Sequence, residues 1–138
     1  LVLWQRVRAL SRDLIARFDI RCSGPDQVVG KLSGGNMQKV VLAREFSHRA
    51  PVLLVDQPTR GVDIGAMERI YDQIMDERER GAAILLISAQ ISEVQALADR
   101  ILVLFAGQIA GALPGDTATE DEIGHLMAGG ETTASEAA

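Results

Sequence analysis

Two short segments of the chain carry residue types that handle phosphate groups and metal ions. Residues 32–38 (Leu-Ser-Gly-Gly-Asn-Met-Gln) place a hydroxyl group and two glycines where a helical pattern begins. The unpaired N–H groups of a helix N-terminus attract anions, and glycines let an anion approach the backbone. Residues 52–56 form an apolar run ending in Asp56, by which a strand can present a carboxylate to Mg²⁺. Because each segment alone also fits an ordinary helix cap or loop carboxylate, only their combination indicates phosphate chemistry.

The spacing of apolar residues predicts alternating helices and strands. Helices are predicted at residues 2–18, after Ser33, and at 64–80, 91–98 and 120–127, and strands at 52–55, 83–87, 101–105 and 109–113. Ser33 is the expected N-cap of the second helix, and a tight turn is expected at residues 106–107. The strand at 52–55 reads as buried on both faces. Strands separated by helices of this length predict an α/β fold with a mostly parallel sheet.

The overall composition excludes several classes of protein. The chain has 138 residues, of which 47% are hydrophobic, and this suits one globular domain. A formal net charge of -5 leaves no broad basic surface, so we expect no nucleic-acid partner. The single cysteine, Cys22, cannot form an internal disulfide, and with the isolated His48 and His125 it gives no metal-binding pattern. No apolar run approaches the roughly 20 residues that cross a bilayer, which predicts a cytoplasmic protein.

The two segments become specific when the residues that follow them are included. Residues 32–38 are similar to the signature motif of the ATP-binding subunits of ABC transporters, and residues 52–56 to the Walker B strand of those proteins. Residues 61–63 (Gly-Val-Asp) are similar to their D-loop. The resemblance extends from about residue 14 to residue 130. It implies a P-loop NTPase-like (ABC ATPase) fold, with a mostly parallel sheet flanked by helices.

The resemblance also divides the chain into segments. Residues 1–50 would be the end of a helical subdomain that carries the signature motif, and residues 51–113 part of a RecA-like core. Residues 114–128 would form the C-terminal helix, and residues 129–138 a disordered tail.

Two further stretches narrow the resemblance to one branch of the family. Residues 58–63 (Pro-Thr-Arg-Gly-Val-Asp) are similar to importers of simple sugars and nucleosides, whose subunits carry two fused ATP-binding halves. Residues 81–89 are similar to the second of those halves. The resemblance therefore implies the energy-coupling subunit of a bacterial-type importer, with a nucleoside importer slightly favoured over a ribose importer.

In this family two ATP-binding halves enclose two nucleotides, and each nucleotide contacts the phosphate loop of one half and the signature motif of the other. The resemblance implies ATP and Mg²⁺ as cofactors, with Asp56 holding Mg²⁺ through water. It assigns nucleotide contacts to Ser33, Gly34, Gly35, Asn36, Gln38 and Asp63. The implied partners are the other ATP-binding half of the same polypeptide and membrane-spanning permease subunits. The implied location is the inner face of the cell membrane.

Three departures from the family pattern bear on mechanism. The Gly-x-x-x-x-Gly-Lys-Ser/Thr phosphate loop is absent from the sequence, so we expect the C-terminal part of a nucleotide-binding domain without its phosphate-loop strand. Gln57 stands at the position of the catalytic carboxylate, and Ala89 at that of the switch histidine. An amide cannot accept a proton near neutral pH, so we expect a catalytically degenerate site in this half.

These departures lead to three expectations about the chain and its parent. The chain alone is expected to be inactive, whereas the full-length parent is expected to be an ATPase. Sheet edges left without the phosphate-loop strand are expected to make the chain self-associate. The alternative is a regulatory or structural half that senses nucleotide without hydrolysing it.

Overall fold

The computed structural model describes residues 3–130. Its helices are α1 (Trp4–Arg17), α2 (Gly34–Ser47), α3 (Ile64–Glu79), α4 (Ile91–Leu97) and α5 (Glu120–Met127). Its strands are β1 (Val52–Asp56), β2 (Ala83–Ile87), β3 (Arg100–Phe105) and β4 (Gln108–Pro114), and a short 3-10 turn covers Val29–Lys31. The predicted α/β class is confirmed. Residue 2, the predicted start of the first helix, and residues 131–138 of the predicted tail lie outside the described range.

The chain forms two compact units, one up to Leu85 and the other from Leu86 onward. The sequence instead suggested a first boundary at residue 50, and that division stays a prediction. Strand β1 is connected through α3 to β2, with which it pairs in a small parallel sheet. In the second unit, β3 and β4 form an antiparallel hairpin.

The buried apolar residues of the first unit come from α2, α3, β1 and the segment just after α1. The rings of Phe18, just after α1, and Phe46 on α2 lie 6.0 Å apart between centroids and are tilted by 46°. The other buried apolar residues of this unit are Ile20, Ala43, Leu53, Val55, Ala66, Ile70 and Ile74. This core holds α2, and with it the Ser-Gly-Gly turn, against the rest of the unit.

Strand β1 alternates between buried and exposed residues. Leu53 and Val55 are 7% and 5% exposed, whereas Val52 and Leu54 are 66% and 68% exposed. The prediction that this strand is buried on both faces is therefore wrong. Successive side chains of a strand point to opposite faces, and only the face carrying Leu53 and Val55 is covered in the described structure. Leu85 on β2 is also 57% exposed, so the sheet presents apolar side chains to solvent.

A buried cation fixes the orientation of α2. Lys39 is 4% exposed, and its ammonium group donates a hydrogen bond of 3.0 Å to the carbonyl oxygen of Asp19. The Asp19 carboxylate lies 3.7 Å from the same nitrogen and 2.8 Å from Nη1 of Arg69 on α3. A buried charge is tolerated where it is paired and hydrogen-bonded. This cluster therefore ties α2 both to the turn after α1 and to α3.

The second unit is organised around the β3–β4 hairpin. Ala106 and Gly107 both have positive φ, 47° and 79°, which suits the predicted two-residue turn between the strands. The buried core of this unit consists of Ile101, Val103, Ile123 and Leu126.

Local capping defines helix α5 at both ends. Thr119 accepts a hydrogen bond from the Glu122 backbone, while the Glu122 side chain accepts one from the Thr119 backbone. The backbone N–H and the hydroxyl of Thr119 both donate to the Glu122 carboxylate, and these two bonds hold the pKa of that carboxyl below its ordinary value of 4.5. At the other end, the N–H groups of Gly129 and Gly130 donate to the carbonyls of Leu126 and His125. Residues 129 and 130, which the sequence assigned to the tail, therefore take part in the C-terminal cap of α5.

Candidate nucleotide-binding site

Ser33 caps the N-terminus of α2, as the sequence predicts. Its hydroxyl oxygen accepts hydrogen bonds from the backbone N–H of Asn36 at 3.4 Å and from Asn36 Nδ2 at 2.9 Å. Asn36 Oδ1 in turn accepts from the backbone N–H of Arg21 at 2.9 Å, which fixes the orientation of the amide. A hydroxyl has two acceptor lone pairs and one hydrogen, so the hydrogen of Ser33 remains as a donor. Ser33 is exposed, and this donor is available to an anion.

The two glycines of the turn have different surroundings. A Cβ atom at Gly34 would meet no atom within 4 Å, so an anion can approach the backbone there. A Cβ at Gly35 would lie 3.2 Å from the carbonyl oxygen of Gly61 and 3.7 Å from Cα of Val62. Gly34 is therefore open to a ligand, whereas Gly35 packs the turn against residues 61–62.

Gln38 lies one helical turn beyond the cap and faces the segment that follows β1. Its Nε2 donates to the carbonyl oxygen of Gln57 at 3.0 Å and also to that of Pro58. A primary amide has two hydrogens to donate, so both are engaged within the chain. The start of α2 is thereby joined to the end of β1, 19 and 20 residues further along the sequence.

Asp56 ends β1 with an exposed carboxylate, and the chain then turns sharply at Gln57. Gln57 has a φ of 47°, in the left-handed region that residues with a Cβ rarely adopt. Its carbonyl oxygen accepts from the N–H of Arg60 at 3.2 Å, closing the turn. Within residues 3–130 there is no group of three or more His, Cys, Asp or Glu side chains able to hold a metal ion. The single carboxylate of Asp56 suits Mg²⁺, which commonly takes one or two protein carboxylates beside water and phosphate.

Asp63 has a structural role of its own in the loop that the sequence matched to the D-loop. One of its carboxylate oxygens accepts a hydrogen bond of 3.0 Å from the N–H of Ala66, which makes Asp63 the N-cap of α3. The N–H of Val62 donates to the carbonyl of Thr59 at 3.2 Å. The loop is thus built from backbone turns and ends in a capped helix.

The first unit therefore brings Ser33, Gly34 and Gly35 together with the loop at residues 57–63. Ala89 belongs to the second unit, where it is exposed between β2 and α4. Beside it, the N–H of Gln90 donates to the hydroxyl of Ser88 at 3.0 Å. Ala89 has no side-chain group able to bind or transfer a proton.

Sequence reasoning missed three features of this site. The double hydrogen bond of Gln38 joins residues that are distant in sequence, and no local pattern signals it. The left-handed conformation of Gln57 also has no sequence signal, because glycine or asparagine usually mark such positions. The bond from Arg21 to Asn36 was equally unpredictable, since it depends on how the loop after α1 meets α2.

The fold has close counterparts among solved structures. A dimeric post-hydrolysis structure of the ATP-binding cassette MJ0796, bound to ADP and phosphate, superposes with a TM-score of 0.73 and 22% identity, covering 86% of this chain and 50% of that one. An ATP-binding subunit of an ABC transporter gives a TM-score of 0.75 at 19% identity, covering 91% of this chain and 54% of that one. The chain has the fold of an ABC ATP-binding cassette.

Sequence comparison identifies the branch to which the chain is related. It is 40% identical over 127 residues to the nucleoside import ATP-binding protein NupA of Lactococcus lactis, covering 92% of this chain and 25% of that protein. It is 46% identical over 119 residues to the ribose import ATP-binding protein RbsA of Lacticaseibacillus paracasei, covering 86% and 24%. No protein-family model matches the chain. Over the region it spans, the chain is a homologue of ATP-binding proteins named for ribose and nucleoside import, and it shares the ABC cassette fold.

The chain spans about a quarter of the length of the curated relatives it matches. The guanosine import ATP-binding protein NupO of Bacillus subtilis is matched to the same extent, at 40% identity over 119 residues and 24% of its length. Every helix within residues 3–130 is too short or too polar to cross a lipid bilayer.

Proposed function

We propose that this chain is the C-terminal part of the second ATP-binding half of an ABC importer for simple sugars or nucleosides. The observation that carries the proposal is the N-terminus of α2, where Ser33 keeps a free hydroxyl donor beside the open backbone at Gly34. This geometry suits a γ-phosphate, since helix N-terminal N–H groups and a hydroxyl all donate to it. The names of the relatives support import of ribose, nucleosides or guanosine by the whole protein.

The phosphate bound at this turn would belong to a nucleotide held by the partner half. The chain has no phosphate loop of its own, and its open donors at Ser33 and Gly34 are exposed on the surface of the first unit. Asn36 would act by holding the Ser33 hydroxyl, and Gly35 by allowing the turn to pack on the loop at residues 57–63. We propose Asp63 as a further nucleotide contact, through the carboxylate oxygen that does not cap α3.

This half's own site would bind ATP and Mg²⁺ but hydrolyse ATP poorly. Asp56 supplies the carboxylate for Mg²⁺, while Gln57 cannot accept the proton of an attacking water. Loss of a general base costs about 10²- to 10⁴-fold in rate. Ala89 removes a second group capable of proton transfer. The second candidate function is a half that senses nucleotide without hydrolysing it. Gln57 and Ala89 favour this function as well, and it would apply if this half had no turnover at all.

The proposed partners follow from the same assignment. They are the other ATP-binding half of the same polypeptide and the membrane-spanning permease. The subunit would be located in the cytoplasm, peripherally on the inner face of the membrane. The whole protein would be an ATPase, and this chain by itself would be inactive.

The isolated chain is expected to bind Mg-ATP with a dissociation constant in the millimolar range or weaker. The signature turn offers one hydroxyl and a few backbone donors, whereas most of the donors for ATP belong to the absent phosphate loop. Isothermal titration calorimetry measures this affinity directly, and Gly34→Asp gives the matched control for binding at the turn. Low-micromolar binding would show that the chain holds ATP without a partner and would overturn this part of the proposal.

The isolated chain is also expected to self-associate. Val52, Leu54 and Leu85 are exposed at 66%, 68% and 57%, and apolar sheet surface of this kind favours association. Multi-angle light scattering at increasing concentration is expected to give a rising molar mass, and Leu54→Lys is expected to lower it. A monomer that persists at high concentration would contradict the prediction.

A further inference from the structure

Two segments that we assign to different nucleotides contact each other within the first unit. The turn at residues 33–36 is assigned to the partner's nucleotide, and the segment at residues 57–62 follows the strand that presents Asp56 to this half's own nucleotide. Gln38 joins them through hydrogen bonds to the carbonyls of Gln57 and Pro58.

The turn and the segment at residues 57–62 are joined by two contacts that resist opposite displacements. Gly35 packs against Gly61 so closely that a Cβ would lie 3.2 Å from its carbonyl oxygen, and such a contact resists compression. It does not resist separation. The two hydrogen bonds of Gln38 resist separation, because moving α2 away would break both of them and take the Gln38 donor from the carbonyls of Gln57 and Pro58. Together, the Gly35 contact and the Gln38 hydrogen bonds fix the distance between the turn and the segment at residues 57–62.

The conformation of Gln57 depends on the same bonds. A residue with a Cβ is disfavoured at a φ of 47°, so the surrounding contacts must maintain it. Gln38 holds the carbonyl of Gln57, the same carbonyl that accepts from the N–H of Arg60. Displacement of Gln38 would therefore alter both the backbone at Gln57 and the turn that leads to the D-loop.

We propose that Gln38 is a positioning residue that couples the signature turn to the segment after β1, so that an anion bound at the turn shifts residues 57–62 of the same half. The proposal rests on the function proposed above. It gives Gln38 a role different from direct nucleotide contact, since both hydrogens of its amide are engaged within the chain. One side chain would then link the site of the partner's nucleotide to the site of this half's own.

The first test measures amide hydrogen exchange in the chain without ligand. Gln38→Met keeps an unbranched side chain of similar length but removes both donors. The N–H groups of Arg60 and Val62 are expected to exchange about tenfold faster in this variant, because the turn loses its anchor. Gln5→Met makes the same substitution at an exposed site on α1 and is expected to leave both rates unchanged. Unchanged rates in Gln38→Met would overturn the proposal.

The second test asks whether an anion bound at the turn affects residues 57–62. Inorganic pyrophosphate is added at tens of millimolar, and the amide signals are recorded by ¹⁵N–¹H NMR. In the unchanged chain, pyrophosphate is expected to shift the amide signals of residues 34–36 and of residues 57–62. In Gln38→Met the shifts at 34–36 are expected to remain, while those at 57–62 fall severalfold. Gln38→Lys retains donors for the two carbonyls and is expected to restore them, which a variant that merely destabilised the fold would not do.

The outcomes distinguish failure of the coupling role of Gln38 from failure of phosphate binding at the signature turn. Shifts at both segments in Gln38→Met would show that the signal travels without Gln38 and would overturn the coupling role. Shifts confined to residues 34–36 in the unchanged chain would also overturn it. Absence of any shift would contradict phosphate binding at the signature turn, and the exchange rates of Arg60 and Val62 would then decide the role of Gln38 alone.

Discussion

Gly34→Asp in the full-length transporter is expected to lower ATP turnover by about 10²- to 10³-fold, a loss comparable to that of removing a main donor to a transition-state anion. The fold itself is expected to tolerate the change. A Cβ at Gly34 meets nothing within 4 Å, and a carboxylate in the first turn of a helix interacts favourably with its dipole. The same carboxylate would occupy the open side of the turn and repel the γ-phosphate. Turnover of the assembled transporter with its permease measures the loss.

ATP turnover of Gly34→Asp is to be compared with that of Asp56→Asn in the same transporter. If this half serves its neighbour's site and its own site hydrolyses poorly, losing the Asp56 carboxylate is expected to leave turnover within a few-fold of the unchanged protein. Gly34→Asn matches the size of aspartate without its charge, and it separates steric from electrostatic loss. Equal severity of Gly34→Asp and Asp56→Asn would show that the site around Asp56 hydrolyses ATP and would overturn the asymmetric mechanism.

The parts of this structure that could be predicted are those decided by nearby residues. Ser33 is predictable as an N-cap because a hydroxyl immediately before a helical pattern can accept from the N–H three residues later. The turn at residues 106–107 is predictable for the same reason, because it also depends on nearby residues alone. Asp63 follows the same capping rule at the start of α3, where its side chain accepts from the N–H of Ala66.

The remaining features depend on contacts between distant segments. An apolar run such as 52–55 predicts burial, but its actual exposure depends on which elements cover each face, and here Val52 and Leu54 are left open. Gln38 bonds to residues 19 and 20 positions away, so its role appears only once α2 and β1 are placed in space. The left-handed backbone of Gln57 is a consequence of that same arrangement. The residue types of the site were therefore predictable, whereas the connection between its two parts was not.

The same connection allows a direct test of the proposal that Gln57 stands at the position of a catalytic carboxylate. The contacts that hold this position use its backbone carbonyl, which accepts from Gln38 and Arg60. The side chain can therefore be changed without removing them. Glutamate has the length of glutamine, and Gln57→Glu exchanges only the amide for a carboxylate.

Gln57→Glu combined with Ala89→His is expected to raise hydrolysis at this half's own site by about 10²-fold or more, since a positioned general base contributes about 10²- to 10⁴-fold. The measurement uses the full-length transporter with the phosphate-loop lysine of the other half replaced, so that only this site can turn over. A rising pH–rate profile in the carboxyl range, absent from the unchanged protein, would identify the new carboxylate as the base. Gln57→Met with Ala89→His is the matched control and is expected to give no gain. If the glutamate variant also gains nothing, the defect lies in nucleotide binding or closure, and this half senses ATP instead of hydrolysing it.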